Sequence, residues 1–306
     1  MGLERNRTLL AKEEDSYGSD PSPSATDAVR ISNLVVTPEV KVLTRDNYKG
    51  SMSSDGIRVG GKTYRITFDI ELKGRDAIPS AANPLEYDAL LRACAMTVDY
   101  SATYATYTPE SDDTVGVTMY ANYDGVRYEL NGCQGNFTIS AVAGEVVKLS
   151  FDFLGLYNIP AAQDMPTPSF DSSELPPIFE SASFSVDSFE GIINELTMDM
   201  GNTISPRPDA NSADGIKGYR ISGREVSGTI DPEEDLSSKN LFTKFASSDT
   251  SVMEAYVGAT AGNRFHLYWP TVQYRQVAPD AREGINIHSV EYIATGDDNE
   301  FRLRCY

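Results

Sequence analysis

The chain has 306 residues with 45 acidic against 26 basic side chains, a formal net charge of −19, which excludes a protein that grips nucleic acid, since such affinity comes from Lys and Arg displacing counterions along the phosphates. Three scattered cysteines (Cys94, Cys133, Cys305) give no disulfide framework, and two histidines with no Cys-x-x-Cys pair give no zinc site. No run approaches the roughly 18 apolar residues of a membrane helix, charges stand where a signal peptide needs its apolar stretch, and Asn6 breaks the myristoylation pattern, so the chain is expected to stay where it is made.

With 40% hydrophobic and 10% aromatic residues, the length suits two domains of about 125 to 150 residues, each with its own core. Residues 1–30 are polar and end in Gly18-Ser-Asp-Pro21-Ser-Pro23, which reads as an extended arm. Within it Leu9 and Leu10 could anchor on a neighbouring subunit, the alternative being a disordered tail.

Strand patterns begin at Ile31 and occupy 31–36, 40–43 and 64–72, the last with clean period-two alternation. A helix is predicted over 84–94, with Asn83 as N-cap and Pro84 at its first position. Further strands follow at 115–120, 126–130, 136–141 and 146–153, with Tyr123-Asp124-Gly125 as a hairpin turn. Residues 159–177, rich in Pro, Ser and Asp, read as a linker between a first domain at 31–158 and a second at 178–306.

The second half repeats the order of the first. Ser53-Ser-Asp-Gly-Ile57 is echoed by Ser212-Ala-Asp-Gly-Ile216, each in a long polar loop between two strands, 193–200 and 219–230 in the second case. A helix pattern over 236–246, capped by Asp235, answers the first helix, and the closing strand 287–293 answers 147–153. Loops of this length in a compact domain are usually functional, and a loop kept in both halves suits a contact made at every position of a ring.

No constellation for catalysis stands out. Asp69 with Glu71, and Glu233 with Glu234, can be nominated as carboxylate pairs, but Asp69 and Glu71 lie on the polar face of an alternating strand. Asp209 to Gly215 resembles a calcium loop only until Ala213 and Arg220 fill positions that need oxygen ligands. Gly56 and Gly60-Gly61 lie between strands and miss the phosphate-binding fingerprint. His266 and His288 lack a nucleophile partner, and Trp269 is expected in the core or at its rim.

Several segments carry a resemblance to the major tail tube proteins of long, non-contractile phage tails, in their two-domain form. They are Tyr17-Gly-Ser-Asp-Pro21 with Asp27-Ala-Val29, Leu90-Leu91-Arg92-Ala93-Cys94, Tyr107-Thr-Pro109-Glu-Ser111, Leu130-Asn-Gly132-Cys133-Gln-Gly135, and Phe151-Asp-Phe153-Leu-Gly155-Leu-Tyr157. Ala95 departs from the family, which has Gly there, and this touches the helix end.

The resemblance implies an all-β fold with one short helix per repeat: two tandem β-sandwich or barrel domains contributing to a continuous inner β-barrel. It further implies a structural role without enzymatic activity or cofactor, homotrimeric rings of pseudo-sixfold symmetry stacked into a tube, and an acidic lumen through which viral DNA passes during genome ejection without specific binding. Tail terminator, tape measure and distal tail proteins are the implied partners. The location would be the virion tail, with assembly in the host cytoplasm. Loops 44–62 and 201–218 are expected to join rings, through Arg45, Asp55 and Gly56 and through Arg207, Asp214 and Gly215, while Leu9 and Leu10 anchor the arm. The alternatives are a tail terminator or baseplate ring protein, and a carbohydrate-binding β-sandwich using Trp269, Tyr268 and Tyr274 as a stacking surface.

Overall fold

Period-two alternation becomes an antiparallel sheet because it gives every strand one face to bury and one to hydrate. The computed structural model describes residues 5–112, 114–170, 174–237 and 239–306. Residues 1–4 of the expected arm, 171–173 of the expected linker and Ser238 of the expected second helix lie outside them.

In chain order, β1 (Arg7–Glu13), β2 (Ala28–Val29), β3 (Ser32–Thr44) and β4 (Ile57–Glu71) lead to α1 (Asp88–Ala93). β5 (Met96–Tyr100), β6 (Ala105–Pro109), β7 (Val117–Tyr123), β8 (Val126–Val142) and β9 (Lys148–Tyr157) complete the first half, and β10 (Ala161–Ala162) lies in the connection. Next come β11 (Ser185–Val186), β12 (Phe189–Glu190), β13 (Glu195–Asp199), β14 (Thr203–Pro208), β15 (Ile216–Gly223), β16 (Ser227–Ile230) and α2 (Leu241–Ser247). β17 (Ser251–Val257), β18 (Phe265–Arg282), β19 (Ile285–Ala294) and β20 (Arg302–Cys305) follow.

Strand neighbours in the first half run β3, β4, β9, β8, β7, β1, β2. In the second they run β13, β16, β19, β18, β17, β11, β12. Two seams join these ladders. β13 lies antiparallel along the far end of β8, with Leu196 opposite Ala141 and Asp199 opposite Thr138. β20 sits between β18 and β6, and β5 extends that side. Eighteen strands thereby share one sheet, while β14 and β15 form a separate two-stranded ribbon. Among the described residues no ladder closes into a barrel.

The buried side chains form one main cluster that crosses the seams, where two separate cores were expected. Phe68, Phe151 and Phe153 stack in the first half and Phe137 packs tilted on Phe151, with ring centroids 5.5–6.1 Å apart. Trp269 packs against Tyr292 and Phe301 in the second. The cause is the β8–β13 seam, whose Ile139, Ala141, Leu196 and Met198 are all buried.

Four local expectations change. The segment taken as a coreless arm contains β1, which pairs with β7 along its whole length and places Leu9 at 0% exposure and Leu10 at 3% in this chain's own interior. Its Arg and Glu ends mask a strand whose middle, Leu-Leu-Ala, is apolar on both faces.

The first helix starts at Asp88 instead of Pro84, because Asn83 is held in a bridge with Ser80 and buried Leu85 and Tyr87 fix the turn before it. α2 is capped by Asn240, whose side chain accepts from the Thr243 N–H, while Asp235 accepts from Ser237 in a turn of its own. The second long hairpin is broken between β13 and β14, where the Asn202 amide donates to the carbonyls of Cys94 and Gly135 and turns the chain out of the sheet.

Ala95 adopts φ +59°, a left-handed conformation that favours Gly and accounts for the residue expected there from the family. Ala95→Gly is expected to change stability by less than about 1 kcal/mol although the methyl is buried, since relief of the left-handed strain offsets the lost contact and the added chain entropy. Leu9→Ala is expected to cost about 3 kcal/mol, because it empties a fully buried site. Denaturant titration measures both, and an arm outside the fold would leave the second value near zero.

Candidate functional site

The two long hairpins identified in the sequence project as neighbouring ribbons. In the first, the outer parts of β3 and β4 pair Val40 with Lys62, Val42 with Val59, Leu43 with Arg58 and Thr44 with Ile57. Val42, Leu43, Ile57 and Val59 are exposed, Ile57 to 65%. A paired ribbon showing apolar side chains to water invites a partner.

Its tip carries Arg45, Asp55 and Gly56, all at or near the surface. Asp55 accepts from Lys49 at 2.8 Å and from Asn47 at 2.8 Å, and Lys49 also reaches the Ser54 carbonyl. The Lys49 ammonium first, and the Asn47 amide second, hold the Asp55 carboxyl below its usual value. The tip is therefore a folded loop with internal hydrogen bonds.

The second ribbon pairs β14 with β15, from Thr203 opposite Gly223 to Pro208 opposite Ile216, and exposes Arg207. In its tip Asp209 accepts from the Asn211 N–H and the Ser212 hydroxyl, an Asx turn in the place where a calcium loop was considered. Among the described residues no group of three or more metal-ligating side chains occurs. Asp214, just before Gly215, lies 3.4 Å from Lys62 and so ties the second tip to the first ribbon. Gly61 lets the backbones meet, since a Cβ there would stand 2.7 Å from the Asp214 carbonyl oxygen.

Beneath both ribbons lies a residue that sequence reasoning did not single out as functional, Tyr17. Its hydroxyl donates to the Gly132 carbonyl at 2.8 Å and accepts from the Tyr219 N–H at 2.6 Å, bridging β8 to β15. The ring lies close against Gly218, where a Cβ would stand 2.3 Å from it. Burial pushes its phenol up to about 12, the Tyr219 N–H opposing. The one signal for it in the sequence was its place in the Tyr17-to-Pro21 run. Next to it the buried Glu14 carboxylate accepts from Thr118, Gly132 and Gly18, fixing the turn that presents the tyrosine.

The other nominated chemistry is structural. Asp69 accepts from the Asn33 amide, Glu233 lies 3.5 Å from Arg282, and the Glu234 N–H donates to the Asn286 carbonyl. His266 contacts Glu254 at 2.9 Å and stacks on Tyr256, and burial holds it below its usual value despite Glu254. His288 is buried against Phe242. Trp269 and Tyr274 are buried at 0% and 8% exposure, which removes two of the three rings of the sugar-stacking alternative.

Among the strand flanks without a strand partner in the described residues, two belong to long strands of the two ladders: the side of β3 away from β4, and the side of β18 away from β19 beyond Val272. Under α2, Asp187 accepts from the Val252 N–H and pairs with Lys239 at 2.6 Å. Burial opposes its ionisation, but these partners prevail and hold its carboxyl at about 2.

Tyr17→Phe strands the Tyr219 N–H and is expected to cost about 1–3 kcal/mol, with faster amide exchange at Tyr219. For Asp187 the folded value lies below the ordinary 3.8, so its stabilisation is present above about pH 4 and is lost as pH falls through about 2. Asp187→Asn should accordingly melt below the parent at pH 7 and together with it near pH 2, as thermal denaturation across that range would report.

A family model described as phage tail tube protein matches residues 4–294. No curated protein matches the chain.

Proposed function

As a member of the phage tail tube protein family, matched over residues 4–294, the chain is a structural component of the virion tail, and we propose that it is the repeating subunit of the tube. In this reading the two halves are copies of one β-module, and three chains close into a ring of six modules. The observation that carries it is the common neighbour order of the two ladders, β3-β4-β9-β8-β7-β1-β2 and β13-β16-β19-β18-β17-β11-β12. A module that pairs edge to edge with its own copy inside a chain has the means to do so between chains.

The ribbons supply contacts between rings. The exposed valines, Ile57 and Leu43 of the first ribbon offer apolar surface, and Arg45 and Asp55 on it and Arg207 and Asp214 on the second set charges of both signs. A net charge of −19 supports an acidic lumen past which DNA slides without adhering, because like charges leave no register at which it is held. The tube would end on a terminator at one side and distal tail proteins at the other, with a tape measure protein inside during assembly in the host cytoplasm. The role requires no cofactor or catalytic centre.

Electron microscopy of the purified protein tests this reading. Hollow tubes of stacked rings with threefold symmetry are expected. Isolated rings that never stack would instead assign a terminator or baseplate role, and a lasting monomer would sink both. Replacing residues 46–55 by a two-residue turn is expected to leave rings intact and to abolish stacking, with ring and tube fractions counted on the same grids.

A further inference from the structure

The seam between β8 and β13 shows once, inside the chain, how one module meets the next, and the ladders let that geometry be carried to the flanks left open. On β9, Leu149, Phe151 and Phe153 are buried in alternation; on β19, Val290, Tyr292 and Ala294 are buried in the same way. Superposing these positions sets Gln276, opposite Glu291, in the place of Thr138, opposite Ser150. Likewise Val35, opposite Thr67 and through it Asp152, stands in the place of Asp199, opposite Ser227 and through it Ile293. Thr138 and Asp199 are partners in the seam.

Resting on the subunit reading above, we propose that β3 of one copy pairs antiparallel with β18 of a second copy, with Val35 opposite Gln276 and Ser32 opposite Ala278. The second pair stands for Thr197 opposite Ser140. Asn33, at φ +54°, lies within the bulge between Ser32 and Val35 and takes up the extra residue of β3. Continuing the register brings Arg30 opposite Asp280, both exposed and of opposite charge. Val35 is 52% exposed and Gln276 is exposed, whereas the residues whose places they take in the seam, Asp199 and Thr138, are half-buried.

The β3 flank carries side-chain caps in the isolated chain. The Leu34 carbonyl accepts from the Arg7 guanidinium at 2.8 Å and from the Tyr123 hydroxyl at 3.4 Å. Such caps blunt an exposed edge against random pairing, and they can yield to a strand that satisfies more of the backbone.

Cysteine crosslinking reads the register directly, since strand partners lie about 4.5–5.5 Å apart at Cα, within disulfide reach, and the three native cysteines are buried. Val35→Cys protein is mixed with Gln276→Cys protein under oxidation, so that any heterodimer is intermolecular by construction. A reducible dimer is expected in this mixture, and its loss when Gln276→Cys is replaced by Ala278→Cys, two residues out of register. Rings or tubes that form while the matched mixture gives no more dimer than the shifted one would overturn the register and leave the subunit reading standing. Failure of the parent protein to assemble under the same conditions would overturn both.

Discussion

Every strand has two flanks of N–H and C=O groups, and a buried or assembled flank without partners costs more than almost any other local defect. This requirement organises the chain. Within each half it is met by carrying the ladder from the long hairpin inward through β9 or β19 to β8 or β18. Between halves it is met by laying β13 on β8 and β20 on both β18 and β6. Apolar burial then accumulates on both sides of these seams, which is why two halves with the same strand order share one main core.

Outside the sheet the same requirement falls to side chains. Tyr17 satisfies one carbonyl and one N–H from two different halves, and Asn202 satisfies two carbonyls where the second hairpin leaves the plane. Glu14, almost wholly buried, is tolerated because three donors converge on it. These three residues set the base of the ribbons, while the tips are shaped locally by Lys49 with Asp55 and by the Asp209 turn. Each ribbon thus has an anchored root and a self-contained end, and Lys62 with Asp214 ties the second tip to the first ribbon.

How much of this was legible follows from the range of each interaction. Alternation over residues 64–72 and 146–153 is local, and β4 and β9 appear where it lies. The tips, marked by Asp-Gly-Ile in both halves, were located for the same reason. β1 was missed because its apolar centre is only three residues long and its support comes from β7, more than a hundred positions away. β17 does not announce itself in the sequence, because polar Ser251 shares its buried face with Met253, Ala255 and Val257 while Val252 and Tyr256 put apolar side chains on the other face. Asn83 and Asp235 had the right chemistry for caps, but a bridge to Ser80 and a bond to Ser237 claimed them first. The clamp made by Tyr17 depends on contacts 115 and 202 residues distant, which no local pattern carries.

The paired seams also have a mechanical side. A chain whose halves are stitched by backbone hydrogen bonds along β8–β13 and again through β20 behaves as a stiff plate, because hinging it would break several such bonds at once. In the filament proposed above, flexure of such plates is then confined to the layers between them, where the proposal places the slender ribbons. Under the proposed assembly of stacked rings, the tube curves as a stack of rigid collars does, keeping its bore round while its axis bends.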